Sequence, residues 1–306
     1  MSASVLYDAP GPKAKRRNTI FSVVGILVIA AFIAWVILTL AAPRIAANGA
    51  ETPGMFDSTR WDVLSEPLLW AAFGKGVQFT LQMAAVAAIL ALLIGVIFSF
   101  ARTARSRWVR VPATVILEFF RGMPLLLMML FILLVFAVGP YWSGVGALAV
   151  YNGAIIGEAL RAGVQSLPKG QRESGLAIGL TPFKTRLLIE FPQAFRQMLP
   201  IIIAQMVVLL KDTSLAYVVG YDELSRTIKN MQSTLGNRYL FTVFIIGLLI
   251  YLLINLTLSW IARVIARRSG PKAGATIDGD KALGAEGTQA LVLPLRGDGT
   301  ESGRGV

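Results

Sequence analysis

The sequence predicts an all-α, polytopic membrane protein with six transmembrane helices, and three observations carry that expectation. Of its 306 residues, 55% are hydrophobic and only 15% charged, against about 25% charged in a soluble domain. Uncharged runs long enough to cross a membrane recur, where a crossing helix needs about 20 mostly apolar residues. The runs are rich in Leu and Ala and do not alternate, which argues against barrel strands. There is no Cys and no His. Disulfides, thiolate nucleophiles, Cys/His zinc centres and imidazole acid–base chemistry are thereby excluded, and no metal or cofactor is expected. The formal charge of +12 would suggest nucleic acid in a soluble chain. In a membrane protein it reports which loops stay in the cytoplasm, and no nucleic-acid partner is expected.

The elements follow in order. Residues 1–17 form a basic segment with Lys13, Lys15, Arg16 and Arg17. Arg17 and Arg44 bracket 26 uncharged residues with an apolar block at 20–42, read as an extra N-terminal span within 18–43. That block is longer than the apolar region of a signal peptide. Segment 44–75 is extracytoplasmic, and Trp61 and Trp70 suit a short interfacial helix there. The 26 residues 76–101 make the next span. Arg121 and Glu158 then bracket 36 uncharged residues, about 54 Å of helix, too long for one crossing and short for two plus a turn. Gly139, Pro140 and the Ser/Gly-rich 143–146 supply breakers. Two spans near 113–138 and 147–166 fit if Glu118, Arg121, Glu158 and Arg161 lie within helix ends. Another span covers 197–220, with Lys211 and Asp212 inside it, and the last covers 239–262. The tail 269–306 is Gly-rich without apolar periodicity and reads as disordered.

Basic residues set the orientation. With the N-terminus in the cytoplasm, six spans leave 21 Lys and Arg inside and six outside, the bias of a plasma-membrane protein with both termini cytoplasmic.

The loop 168–192 is polar and reads as two short helices with a corner. The first covers about 170–178, and Gly179 permits a left-handed turn at its end. Thr181 is a good N-cap, with Pro182 at the first helical position of the second helix, which Phe191-Pro192 ends. Such a loop is large enough to dock a soluble partner. Its spacing resembles that of the loop in permeases of ATP-binding-cassette (ABC) importers: Glu-Ala-Ala, three residues, Gly, nine residues, Ile, one residue, Leu-Pro. The match here is Glu173-Ser174-Gly175, Gly179, Ile189 and Phe191-Pro192, with Ser174, Gly175 and Phe191 as departures. Glu158-Ala159-Leu160-Arg161, Phe119-Phe120-Arg121-Gly122-Met123-Pro124 and Lys211-Asp212-Thr213-Ser214-Leu215 resemble the polar amino acid branch. The N-terminal stretch 5–12 and the extra span are similar to actinobacterial glutamate importer permeases. The resemblance covers about residues 70–265. It implies a five-helix type I permease core at 76–268. It also implies a cytoplasmic ABC ATPase dimer, a second permease (paralogue or self), an extracytoplasmic amino-acid-binding lipoprotein and membrane lipid as partners, with import of a polar amino acid, glutamate, as the expected activity. Glu173, Ser174, Gly175, Gly179, Pro182, Ile189 and Pro192 would form the coupling element, with Glu173 pairing with a basic group of the ATPase.

Charges within spans are costly and face the protein interior or a watery cavity. Glu118 and Arg121, like Glu158 and Arg161, share a helical face. They are expected as ion pairs anchoring helix ends, with an inner gate as the functional reading. Lys211 is 15 residues, about 22 Å, beyond Arg196, too deep to reach the interface easily. Lys211 and Asp212 could hold the two ends of an amino acid zwitterion, with Thr213, Ser214 and Tyr217 adding hydroxyls. The alternative is that both pair with other helices or a partner subunit. No Gly-rich GxxxxGK[ST] phosphate loop is present, so ATP hydrolysis is expected on a partner. The rival readings are an ion-coupled secondary carrier, which needs no docking loop, a permease for another polar or basic amino acid, a membrane enzyme, and an exporter scaffold.

Overall fold

The computed structural model describes residues 11–45 and 51–269. The first ten residues and those from 270 onward lie outside the described residues, so the expectations for the N-terminal stretch and the tail fall there. Among the described residues the chain is helical apart from a two-residue antiparallel ladder, β1 (Arg44–Ile45) with β2 (Glu51–Thr52).

Helix α1 (Pro12–Ala41) opens on a proline, whose missing N–H is unneeded at a first helical position, and buries none of its residues. Helix α2 (Pro67–Arg102) begins well before the expected residue 76. Its extra turns bury Leu69 and Phe73 in a cluster with Val63, Leu224 and Val243. The expected interfacial helix is instead two 3-10 turns, Ser58–Arg60 and Asp62–Ser65. Trp70, in α2, donates its indole N–H to the Leu64 carbonyl at 2.8 Å.

The span expected at 113–138 is not one straight helix. Helices α3 (Arg107–Gly122) and α4 (Leu125–Phe136) meet with their axes at 106°. Pro124 is the cause, because its ring disfavours helical backbone at the preceding residue, and Met123 is extended at φ −84°, ψ 129°. The 12 residues of α4 cover about 18 Å, too little to cross a core about 30 Å thick. Only when the two helices are taken together as one broken span are they long and apolar enough to cross.

Helix α5 (Gly139–Gln165) starts before the expected 147, because Pro140 initiates the helix. The reversal lies at its very start, at Ala137 (φ 50°) just before it and Gly139 (φ 82°), its first residue. The expected breakers Ser143, Gly144 and Val145 lie buried inside this helix. They suit a helix packed on several sides: a Cβ on Gly157 would stand 3.0 Å from the Gly95 carbonyl oxygen of α2, so small residues here let two membrane helices approach closely.

The chain then forms α6 (Lys169–Ala177), α7 (Pro182–Thr185), a π-turn (Arg186–Glu190) and α8 (Phe191–Asp212). Contrary to expectation, Phe191-Pro192 does not end the second loop helix. Helix α7, the π-turn, α8 and a 3-10 turn (Thr213–Tyr217) make one rod, Pro182–Tyr217. The Phe191 N–H donates to the Arg186 carbonyl, five residues back. This wider turn opens the ladder where Pro192 would otherwise clash with it.

Helix α9 (Leu224–Leu235), absent from the sequence reading, lies wedged between α2 and α10 (Leu240–Ser269), with Thr227 against Gly76 and Ile228 against Gly247. Among the described residues four helices, α1, α2, the 182–217 rod and the 237–266 segment, are long and apolar enough to cross a membrane, and the α3–α4 pair passes jointly. With α5, whose 27 residues reach about 40 Å, six crossing elements result.

Candidate functional site

Three layers hold the residues singled out from the sequence. The first is the loop between α5 and α8. Gly179 has φ 82°, its N–H donates to the Leu176 carbonyl at 3.0 Å, and the Leu180 N–H donates to the Gly175 carbonyl at 3.2 Å. These two bonds are a Schellman closure, which needs a left-handed residue where Gly179 stands. Thr181 then caps α7, accepting from the Lys184 N–H at 3.4 Å. Gly175 is buried, and a Cβ there would lie 2.5 Å from Thr185 Cγ2 and 2.9 Å from Ile189 Cδ1. The departure from alanine at this position thus has a packing cause: α6 seats directly on the turn that starts the rod. Gln193 of α8 donates to the Gln171 side chain at 3.1 Å, and Arg186 donates to the Thr103 carbonyl at the end of α2. Glu173, Ser174, Pro182 and Pro192 are exposed, as are the apolar Ile178 (75%), Phe183 and Leu188.

The second layer is charged. Glu118, Arg121, Glu158 and Arg161 come together around Arg102, which the sequence reading counted only among the loop cations. Glu158 accepts from Arg102 Nη1, from Arg161 Nε at 2.9 Å and from Arg161 Nη2 at 2.6 Å. Arg102 Nη2 also reaches Glu118 at 3.4 Å, which pairs with Arg121 at 3.3 Å. The network joins the ends of α2, α3 and α5. Its Arg102–Glu158 centre is sheltered, and its Glu118–Arg121 arm is open to solvent.

The third layer is deep in the bundle. Lys211 is exposed on the single chain, Asp212 and Ser214 half-buried, Thr213 fully buried and Tyr217 at the surface. Among the described residues neither the Lys211 nor the Asp212 side chain makes a hydrogen bond or ion pair. The change from α to 3-10 winding leaves backbone carbonyls to satisfy. Thr213 Oγ1 takes that of Leu210 at 2.7 Å, Ser214 Oγ that of Lys211 at 2.9 Å, and Tyr251 Oη of α10 donates to the Lys211 carbonyl at 2.8 Å. Thr213 and Ser214 therefore spend their hydroxyl protons on the backbone, and Lys211 and Asp212, whose charges act on each other, stay uncommitted to any hydrogen bond or ion pair among the described residues. Tyr251 lies 11 residues into α10, about 16 Å from its start, so the cluster sits well inside the length of that helix.

Two polar features escaped the sequence reading. Gln205 donates to the wholly buried Asn152 at 2.7 Å, linking α8 to α5. Glu223, also wholly buried, caps α9 by accepting from the Ser225 and Arg226 N–H groups at 2.8 and 2.9 Å. Burial pushes its carboxyl up to about 7, against the pull of those two donors.

Comparison with known proteins gives the arrangement its context. The family model "Binding-protein-dependent transport system inner membrane component" matches residues 91–270. The glutamate transport system permease protein GluD of Corynebacterium glutamicum is 36% identical over 225 residues, 70% of this chain and 81% of that protein. The glutamine transport system permease protein GlnP of Escherichia coli is 33% identical over 201 residues, 63% of this chain and 91% of that protein. A crystal structure of an amino acid ABC transporter with histidines superposes with a TM-score of 0.61 at 28% identity, covering 68% of this chain and 98% of that one. The chain belongs to the binding-protein-dependent transport inner membrane component family, as a multi-pass plasma-membrane permease subunit of an ABC importer whose ATPase activity resides in partner subunits.

Proposed function

We propose that this permease moves a polar amino acid, glutamate in the first instance, into the cytoplasm. Both termini and the 168–192 loop face the cytoplasm, and the loop seats in an ABC ATPase dimer. A second permease, paralogue or self, completes the pathway, and an extracytoplasmic lipoprotein delivers the substrate. The observation that carries this reading is the unbroken rod from Pro182 to Tyr217. It begins one residue beyond the capped corner of the docking loop and ends just past Lys211 and Asp212, so a push on the loop reaches the uncommitted charges through one semi-rigid body. Lys211 then meets a substrate carboxylate, and Asp212 the ammonium or a neighbouring helix. The Arg102–Glu158 network is the inner gate layer between them. GluD supports glutamate. Relatives named for arginine in Bacillus subtilis (30% identical) and glutamine in E. coli (33%) make substrate identity the point to measure.

The test is uptake into proteoliposomes holding the assembled transporter with its ATPase and binding protein. ATP-driven glutamate uptake, out-competing glutamine and arginine, is expected. Glu173→Lys should lower ATPase co-purification and uptake together. Normal ATPase stoichiometry and uptake in that variant would remove the docking assignment, and uptake driven by an ion gradient without ATP would favour a secondary carrier.

A further inference from the structure

On the face carrying the α5–α8 loop, a cleft of about 610 Å³ opens between the end of α2, the start of α3 and α6. A second hollow of about 310 Å³ adjoins it, and the two share Arg102, Arg110 and Gln165. Arg110, Lys169 and Arg172 line the cleft with side chains that make no hydrogen bond or ion pair among the described residues. Arg102 and Arg186 add two more cations, against the acids Glu173 and Glu190. The Arg102 side chain is only 9% exposed, and its Nε is buried without a hydrogen-bond partner, as is that of Arg186. Arg102 is paired with Glu158, and Arg186 with Glu190 at 3.7 Å, which leaves Arg110, Lys169 and Arg172 with Glu173 as the one remaining acid of the lining, a surplus of positive charge that a bound anion would offset. The second hollow says which kind. Val111 and Val115 of α3 line it, and on the same helix Trp108 (91%), Val111 and Val115 stand exposed as an apolar strip. The strip stays outside the buried apolar clusters of the bundle.

We infer that the cleft is a binding site for an anionic phospholipid, with its phosphate among Arg110, Lys169 and Arg172 and its acyl chains along Val111 and Val115. A free phosphate would satisfy the cations and leave the apolar strip bare. A neutral lipid would do the reverse. Basic pockets at helix ends on the cytoplasmic side are suited to anionic headgroups. The site rests on the orientation proposed above, in that its leaflet is the cytoplasmic one. Its occupant would clasp α3 to the docking loop through Arg110 and Lys169.

The experiment is native mass spectrometry of the assembled transporter, permease with ATPase, released from mild detergent after equal doses of phosphatidylglycerol or phosphatidylcholine. Phosphatidylglycerol adducts should exceed phosphatidylcholine adducts about tenfold or more, and Arg110→Gln with Lys169→Gln should remove most of that preference. Arg105→Gln, an exposed neighbour outside the cleft, should leave both that preference and the ATPase stoichiometry intact. Equal retention of the two lipids, or an unaffected double variant, would overturn the site. Displacement by millimolar inorganic phosphate would make it a phosphate site instead. Loss of ATPase with lipid retained would assign the cations to the ATPase interface. Reporter fusions at residues 105 and 180 test orientation independently, so its failure is distinguishable from failure of the lipid site.

Discussion

Arg102 and Glu158, 56 residues apart, meet in a sheltered ion pair that ties the end of α2 to the end of α5. The pair is lopsided. Glu158 retains Arg161 if Arg102 is removed, whereas Arg102 retains only the half-exposed Glu118 at 3.4 Å if Glu158 is removed. Removing one partner of a buried pair strands the other at a cost of about 3–5 kcal/mol, and exposed pairs offset little, about 0–1 kcal/mol. Glu158→Gln should therefore lower the thermal midpoint of the purified complex more than Arg102→Met does. The double variant should be less damaging than the sum of the two. Equal and additive shifts would mean that the two residues do not interact.

Helical periodicity explains why only part of this network was readable. Glu118 with Arg121 and Glu158 with Arg161 are three apart, a spacing that declares a shared face. Arg102 belongs to another helix, and no local pattern reports that. The membrane makes crossing helices legible through length alone, since about 20 apolar residues are needed whatever the packing. It does not make legible which breaker wins. Pro124 bends its span because an extended residue precedes it, and Pro140 starts a helix because Ala137 and Gly139 have already reversed the chain. Pro192 is accommodated by a π-turn. The α9 signal was present as Leu224, Ile228, Met231 and Leu235 behind an acidic cap, a helical spacing within a stretch too short and polar to stand out beside the spans. Lys211 and Asp212 were found because charge inside an apolar run is conspicuous. That their neighbours' hydroxyls serve the backbone needed the change of helical winding to be seen.

The docking loop makes a two-glycine prediction. Gly179→Val forces a β-branched residue into left-handed backbone, and Gly175→Ala inserts a methyl 2.5 Å from Thr185 Cγ2. Overpacking of this kind costs about 1–3 kcal/mol. Gly175→Ala should loosen α6 from α7 and expose the loop to limited proteolysis, although alanine is the better helix former. Gly179→Val should stop transport with the protein still in the membrane. If Gly175→Ala makes the loop more protease-resistant, the close approach of α6 to Thr185 is wrong.

Glu223 carries a pH prediction. Burial raises its carboxyl from an ordinary 4.5 to about 7, so the folded state holds the proton more tightly than the unfolded one. The stabilisation this brings is fully present below the ordinary value and is lost as pH rises through about 7. Protection of α9 backbone amides, corrected for intrinsic exchange, should fall from about pH 5 to about pH 8. Glu223→Gln should flatten that profile while keeping an acceptor for the Ser225 and Arg226 N–H groups. A wild-type profile that is flat, or that rises with pH, would show that the two N–H donors outweigh burial.

The Lys211 prediction discriminates best between transport and scaffolding. If Lys211 and Asp212 only held the assembly together, each would pair with another helix or with the second permease, and Lys211→Met would strand a charge and deplete the assembled complex. Among the described residues neither side chain makes an ion pair with another helix of this chain, while the neighbouring Thr213, Ser214 and Tyr251 are committed to backbone carbonyls. Lys211→Met keeps the aliphatic stem and removes only the charge. The complex should therefore assemble at wild-type yield and retain ATPase activity without substrate, because the docking loop is untouched. Uptake should fall about 10- to 100-fold, the loss of one charge-assisted hydrogen bond of about 1.5–3 kcal/mol. Lys211→Arg should restore it only in part, since a guanidinium is larger and its forked donors want a matching geometry. Asp212→Asn should weaken uptake without loss of complex if Asp212 meets the substrate ammonium. Pull-down of assembled complex beside uptake separates the outcomes. Depleted complex returns Lys211 to a scaffolding role, and full assembly with undiminished uptake excludes it from both.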